Sequence, residues 1–87
     1  MLTVYSKNYC PFCDKAKHLL KTKNIAYTEI KIDEDQEARE WLISQGHRTA
    51  PQIYLGDELF VEGGYQGLEK LTVEQIQERI GALSVSN

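Results

Sequence analysis

The chain has little of most things that would commit it to a specialised setting. Of 87 residues only two are proline, two cysteine, one methionine and one tryptophan. Two cysteines exclude the disulfide framework of small secreted domains. No apolar run approaches the roughly 18 residues that a membrane-crossing helix requires. Met1 leads directly into Leu2-Thr3-Val4-Tyr5, without the basic start, apolar stretch and cleavage site of an export signal, so the expected location is the cytoplasm. Lys and Arg total 10 against 13 acidic residues, a net charge of −3, which leaves no basic surplus for a nucleic-acid partner. The longest basic stretch, Lys15 to Lys23, is spread along one expected helix and reads as a solvated face. His18 and His47 stand at no zinc-finger spacing from the cysteines, and no metal is expected.

What remains is ordinary globular composition, 41% hydrophobic and 26% charged, enough for one core. The expectation is a single domain over residues 1–82, with 83–87 a short flexible tail. Leu2 to Ser6 reads as a strand and Lys7-Asn8-Tyr9 as a loop. A helix follows, with Cys10 as its cap, Pro11 at its favoured first position and Asn24 as its left-handed stop. Phe12, Ala16, Leu19 and Leu20 fall on one face of that helix. Ala26 to Ile32 alternates as a second strand, reached by a helical crossover and hence parallel to the first.

Asp33 at N-cap and Gln36 at N3 suggest a capping box for a second helix that carries Ala38, Trp41 and Leu42 and stops near Gly46. Gln52 to Leu55 and Leu59 to Glu62 form a hairpin around Gly56-Asp57-Glu58. A short helix is expected over Gln66 to Lys70. Thr72 and Gln75 form another capping box, with Leu71 and Ile76 as a hydrophobic staple, for a last helix ending at Gly81. The order β-α-β-α-β-β-α-α describes an α/β fold, a three-layer α/β/α sandwich on a four-stranded mixed sheet.

Both cysteines lie in Cys10-Pro11-Phe12-Cys13, just after the first strand. At this spacing the pair can close as a disulfide or open as two thiols without rebuilding the fold. A cysteine at a helix N-terminus is stabilised as the thiolate, the nucleophilic form. A redox pair at this place in such a chain marks the thioredoxin-like fold. His18 reads as a solvated helix residue, His47 as a loop residue, Arg48 as a surface charge, and Trp41 and Tyr27 as packing residues. Phe12 is either an exposed rim beside the thiols or core.

Three blocks resemble the glutaredoxin family: Tyr5-Ser6-Lys7 leading into Cys10-Pro11-Phe12-Cys13, His47-Arg48-Thr49-Ala50-Pro51-Gln52-Ile53-Tyr54, and Gly63-Gly64-Tyr65-Gln66-Gly67-Leu68. The resemblance covers essentially the whole chain in the right order, with Ala50 where valine is usual. It implies that Cys10 is the nucleophile and Cys13 the resolving thiol. It implies glutathione contacts from Lys7, Phe12, Thr49, Ala50, Pro51, Gly64, Tyr65 and Gln66, with Pro51 cis against the cysteines and the Ala50 backbone pairing the cysteinyl unit. One departure stands out. Many relatives carry aspartate shortly after the diglycine, whereas Tyr65, Gln66 and Gly67 occupy that region here, so backbone groups would carry more of the binding.

The implied function is a glutathione-dependent thiol–disulfide oxidoreductase, a monomer that reduces protein disulfides and glutathione mixed disulfides, with glutathione as co-substrate. One alternative is a glutaredoxin-like donor to ribonucleotide reductase that is recharged by thioredoxin reductase. Pro11-Phe12 and Gly63-Gly64 favour the first reading, because such donors carry polar residues between the cysteines and an aromatic–arginine–proline segment after their glycine. A different class of alternative is an iron–sulfur cluster carrier that uses Cys10 with external glutathione thiols.

Overall fold

Leu2–Ser6 forms strand β1, where Leu2, Val4 and Ser6 are fully buried on one side and Thr3 and Tyr5 are half-buried on the other. In the computed structural model, which describes residues 1–85, β1 lies at the centre of the sheet. It pairs in parallel with β2 (Tyr27–Lys31), Val4 opposite Glu29, and antiparallel with β3 (Gln52–Leu55), Val4 opposite Ile53. β3 turns at Gly56-Asp57 into β4 (Glu58–Leu59), giving the order β2-β1-β3-β4. The parallel pair is joined by helix α1 (Pro11–Thr22), as a parallel connection requires. Helices α2 (Gln36–Ser44), α3 (Tyr65–Glu69) and α4 (Val73–Val85) complete the described chain. This is the thioredoxin-like α/β sandwich, as the element order implied.

Directly opposed residues share a sheet face, so the two faces can be read from the register. Leu2, Val4 and Ile53 form one face and meet Ala16 and Leu20 of α1, Leu68 of α3 and Ile76 of α4, with Ile25, Phe60 and Val61 closing the cluster. The opposite face presents Tyr5 and Tyr54, which stack with Trp41 of α2 at ring-centroid distances of 4.9 to 5.7 Å. Leu42 of α2 is buried.

Most local signals act as the sequence implies. Cys10 caps α1 in an extended conformation, Pro11 opens it, and Asn24 follows it at φ 56°. The Thr72 hydroxyl accepts the Gln75 N–H at 3.1 Å, while the Gln75 side chain accepts the Thr72 N–H at 2.9 Å. Other elements differ. Asp35, not Asp33, caps α2 and accepts the Ala38 N–H at 3.0 Å, because an Asp33 oxygen is already engaged by the Asn8 N–H at 2.9 Å. α2 itself ends as expected, with Ser44 its last residue, Gln45 its cap and Gly46 following at φ 91°. β4 holds two residues, and after one further bond from Phe60 N–H to the Ile53 carbonyl the chain leaves the sheet. α3 starts at Tyr65, one residue earlier than expected.

α4 runs through Gly81 to Val85. Leu83 packs on the core, and that contact offsets the roughly 1 kcal/mol a helical glycine costs. The rest of the expected 83–87 tail, residues 86 and 87, lies outside the described residues. Phe12 does not join the apolar stripe of α1. The buried positions there are Cys13, Ala16 and Leu20, and Phe12 is 45% exposed.

Candidate active site

The loop from β1 to α1 is held by its middle residue. The Asn8 N–H donates to Asp33, its side-chain amide donates to Glu34 at 2.9 Å, and its carbonyl oxygen accepts from Lys31 Nζ at 3.0 Å. Tyr9 then turns the chain with φ 55° and leaves its ring fully exposed. This delivers Cys10 to the N-cap of α1, where its Sγ accepts the Cys13 N–H at 3.2 Å. A backbone donor aimed at that sulfur, together with the positive end of the helix dipole, favours an anion there once the pair is reduced. In this structure Cys10 and Cys13 are joined as a disulfide, with their Cα atoms 5.2 Å apart. Cys13 is fully buried, while Cys10 keeps 5% of its surface open to solvent.

The Cys10 sulfur lies 3.8 Å from the Ala50 carbonyl oxygen, and the Ala50–Pro51 peptide is cis. The segment before Pro51 is pinned by the Gln52 side-chain amide, which donates to the Thr49 carbonyl at 3.0 Å. Behind Pro51 sits the diglycine. Gly64 has φ 58° and is buried, and a Cβ on it would come within 2.5 Å of the Pro51 carbonyl oxygen. Only glycine permits that approach. Gly67 closes the same turn from below, since a Cβ there would overlap the Glu62 carbonyl.

These segments enclose an open groove of about 640 Å³. Of the residues singled out from the sequence, Phe12, Thr49, Ala50, Pro51, Gly64 and Gln66 line it. Tyr65 does not. It faces Phe12 at a centroid distance of 6.0 Å, with Lys15 Nζ 5.3 Å from the Phe12 ring centre. Its hydroxyl donates to Glu69 at 2.9 Å, and that bond, with smaller contributions from burial and the Glu69 charge, raises the phenol above its ordinary range. Lys7 is exposed in the loop, is not among the residues lining the groove, and makes no ion pair among the described residues.

Five further groove residues were not among the expected contacts: His47, Gln52, Leu59, Glu62 and Gly63. His47 was expected as a loop residue beside Arg48 and near the site, without a catalytic role; it lines the groove, and its Nε2 hydrogen-bonds the Tyr54 hydroxyl, which ties the groove to the aromatic face. Gln52 and Glu62 were read as strand positions. Their adjacency to Pro51 and to Gly63-Gly64 was the available signal. Among the described residues no three His, Cys, Asp or Glu side chains gather as a metal site, and no helix is long and apolar enough to cross a membrane.

A cysteine pair capping the first helix and set against a cis-proline, on a mixed sheet of this order, defines a thiol–disulfide oxidoreductase domain of thioredoxin-like fold. The glutaredoxin family profile matches residues 2–60, and the chain belongs to the glutaredoxin family. Glutaredoxin 3 of Escherichia coli K12 is 34% identical over 76 residues, covering 78% of this chain and 92% of that protein. The glutaredoxin-like protein NrdH of Lactococcus lactis subsp. cremoris is 47% identical over 60 residues, covering 69% of this chain and 83% of that one. A crystal structure of a buckwheat glutaredoxin–glutathione complex matches with a TM-score of 0.73 at 25% identity, over 95% of this chain and 78% of the other. The protein is thus a glutaredoxin- or NrdH-like thiol oxidoreductase with one redox cysteine pair.

Proposed function

We propose that this protein uses glutathione to reduce protein disulfides and glutathione mixed disulfides in the cytoplasm, acting as a monomer. The observation that carries this reading is the Cys10 sulfur. It accepts the Cys13 N–H at the helix N-terminus and lies against the Ala50 carbonyl, beside an open groove of about 640 Å³. Phe12, Thr49, Ala50, Pro51, Gly64 and Gln66 form the glutathione surface, with the Ala50 backbone pairing its cysteinyl unit. Tyr65 acts through Phe12. Lys7 acts from the loop as a long-range cation rather than as a contact.

In the reduced enzyme the Cys10 thiolate attacks one sulfur of the substrate disulfide. A new S–S bond forms, and the displaced thiolate leaves and takes a proton from water. Cys13 then loses its proton and attacks the Cys10 sulfur, which releases the second substrate thiolate and closes the Cys10–Cys13 bond. Two electrons have passed to the substrate. Two glutathione molecules reopen the enzyme disulfide and depart as glutathione disulfide. When the first adduct is itself glutathionyl, an external glutathione can resolve it without Cys13. Proximity within one helical turn makes the internal step effectively unimolecular.

The sequence identity with NrdH favours a second reading, a donor to ribonucleotide reductase recharged by thioredoxin reductase. Turnover of a small mixed disulfide with NADPH, glutathione and glutathione reductase, compared with NADPH and thioredoxin reductase, separates the two. Saturable turnover only in the first system supports the glutathione reading, and turnover only in the second overturns it. Cys10→Ser abolishes exchange in either case. Cys13→Ser keeps deglutathionylation and loses reduction of protein disulfides. A brown, chelator-sensitive preparation would instead support the cluster-carrier reading.

A further inference from the structure

A second groove, which the exchange reaction does not use, runs along α1. It is open, about 580 Å³ in volume, and lined by Leu19, Thr22 and Tyr65 together with the basic side chains Lys15, His18 and Lys23. Helical spacing puts Lys15, Leu19 and Thr22 in one stripe, turned away from the buried stripe of Cys13, Ala16 and Leu20. Phe12 and Tyr65 join this groove to the one beside the cysteines. Phe12 lines the first and Tyr65 the second, their ring centres are 6.0 Å apart, and Lys15 Nζ lies 5.3 Å from one centre and 6.0 Å from the other. Lys15 and Lys23 pair with no carboxylate among the described residues. Asp14 also lines the groove, but it lies 3.5 Å from Lys17, and Glu69 is engaged by the Tyr65 hydroxyl.

Resting on the reduction of protein disulfides proposed above, with either source of electrons, we infer that this groove seats an acidic segment of the protein substrate that flanks its cystine. Charge complementarity carries the choice of occupant. Residues 11–23 hold four of the ten basic residues and one of the thirteen acidic ones, so the redox helix is a basic strip on an acidic protein. A nucleic acid or an anionic membrane would meet the acidic remainder and be repelled, whereas a short acidic segment touches the strip alone. Lys15 and Lys23 face its carboxylates, and Leu19 with the Tyr65 ring takes an aliphatic side chain between them. From Cys10 to Lys23 the helix rises roughly 20 Å, a span that about six extended residues cover. The segment thus reaches the groove across Phe12 while its disulfide stands at Cys10.

The test is the second-order rate at which the pre-reduced protein takes the disulfide from two synthetic peptides, followed as release of peptide thiols with no recycling system present. Both peptides carry the same cystine loop. One is flanked by a segment of glutamate and leucine, the other by the same segment with glutamine for glutamate. Wild type reacts about fivefold faster with the acidic peptide at low salt, the size that two exposed ion pairs give, and about 0.5 M salt removes most of the advantage. Lys15→Gln/Lys23→Gln loses the advantage and keeps the rate for the neutral peptide. Gln36→Glu/Gln77→Glu makes the same change in net charge at exposed positions outside the groove, and it keeps the advantage. Equal wild-type rates for the two peptides, or a control as damaging as the groove variant, overturn the inference and leave the reduction of protein disulfides intact. Binding of phosphatidylserine vesicles or RNA that Lys15→Gln/Lys23→Gln abolishes, with the two peptides reacting alike, overturns it too. Failure of reduced wild type to take either disulfide overturns both.

Discussion

The two faces of the sheet are built on different terms. One is sealed by three helices and packed with aliphatic side chains, and Leu2, Val4, Leu20, Ile53, Leu68 and Ile76 have no exposed surface. The other is covered by α2 and packs rings, Tyr5, Trp41 and Tyr54, whose polar tips must find partners. The contrast separates stability from specificity. The aliphatic face holds the redox helix, because Cys13, Ala16 and Leu20 form one buried stripe and the dithiol rides at its end. The aromatic face reaches the groove through a hydrogen bond between Tyr54 and His47.

The sharpest way to break the comparison is to cut the aliphatic side. Leu20→Ala removes a fully buried side chain that helices and sheet surround, and a cavity left in such a place costs about 2–5 kcal/mol. In a domain this small that is much of the total stability. The urea midpoint falls accordingly, while thiol exchange measured well below the transition is retained, since Leu20 lies two turns from the sulfurs. A loss under about 1 kcal/mol would mean that the stripe does not anchor α1.

How far the sequence could be read follows the same division. The aliphatic face was legible because its signals are local and periodic: the β1 alternation, the Pro11 start, the Asn24 stop and the Thr72/Gln75 box each depend on a few neighbouring residues. Asp33 was misread because its carboxylate is claimed by Asn8, 25 residues away, and no local pattern encodes that competition. α4 passed Gly81 for a similar reason, since Leu83, beyond that glycine, packs on the core. In the groove, residues tied to the Cys and Pro motifs could be found from the chain. The part of His47 was not legible, because its bond to the Tyr54 hydroxyl joins residues on two different segments and is a property of the folded surface.

On the aromatic face the expected effects are smaller. Tyr54→Phe keeps the ring that packs between Tyr5 and Trp41 and removes only the hydroxyl that meets His47. One hydrogen bond of this kind is worth about 1 kcal/mol. Burial, with the nearby Tyr5, keeps the Tyr54 phenol above its ordinary range, so it stays protonated at physiological pH and the bond is available there. The variant loses about that amount in the urea midpoint, and the kcat for exchange does not change. A large fall in kcat would show that this face does more than pack.

The smallest effect belongs to a charged site on the aliphatic face, where Glu29 of β2 accepts from the buried Ser6 hydroxyl at 2.6 Å and from Lys17 of α1 at 2.8 Å. Burial alone would push the Glu29 carboxyl up, but its bonds to Lys17 and Ser6 and the Lys17 and Lys31 charges outweigh that and hold it below its ordinary 4.5. Lys17 is raised above 10.5, chiefly by the bond to Glu29. A lowered acid stabilises the fold above its unfolded pKa and loses that contribution as pH falls through the folded value. A raised base stabilises below its unfolded pKa and loses it as pH rises through the folded value. The pair therefore contributes fully between about 4.5 and 10.5. Glu29→Gln keeps an acceptor for Ser6 and removes the charge, which costs about 0.5–1 kcal/mol at neutral pH. Urea midpoints of wild type and variant differ at pH 7 and converge toward pH 3. A gap that persists undiminished in acid would mean that shape, not charge, holds α1 against β2 at this point.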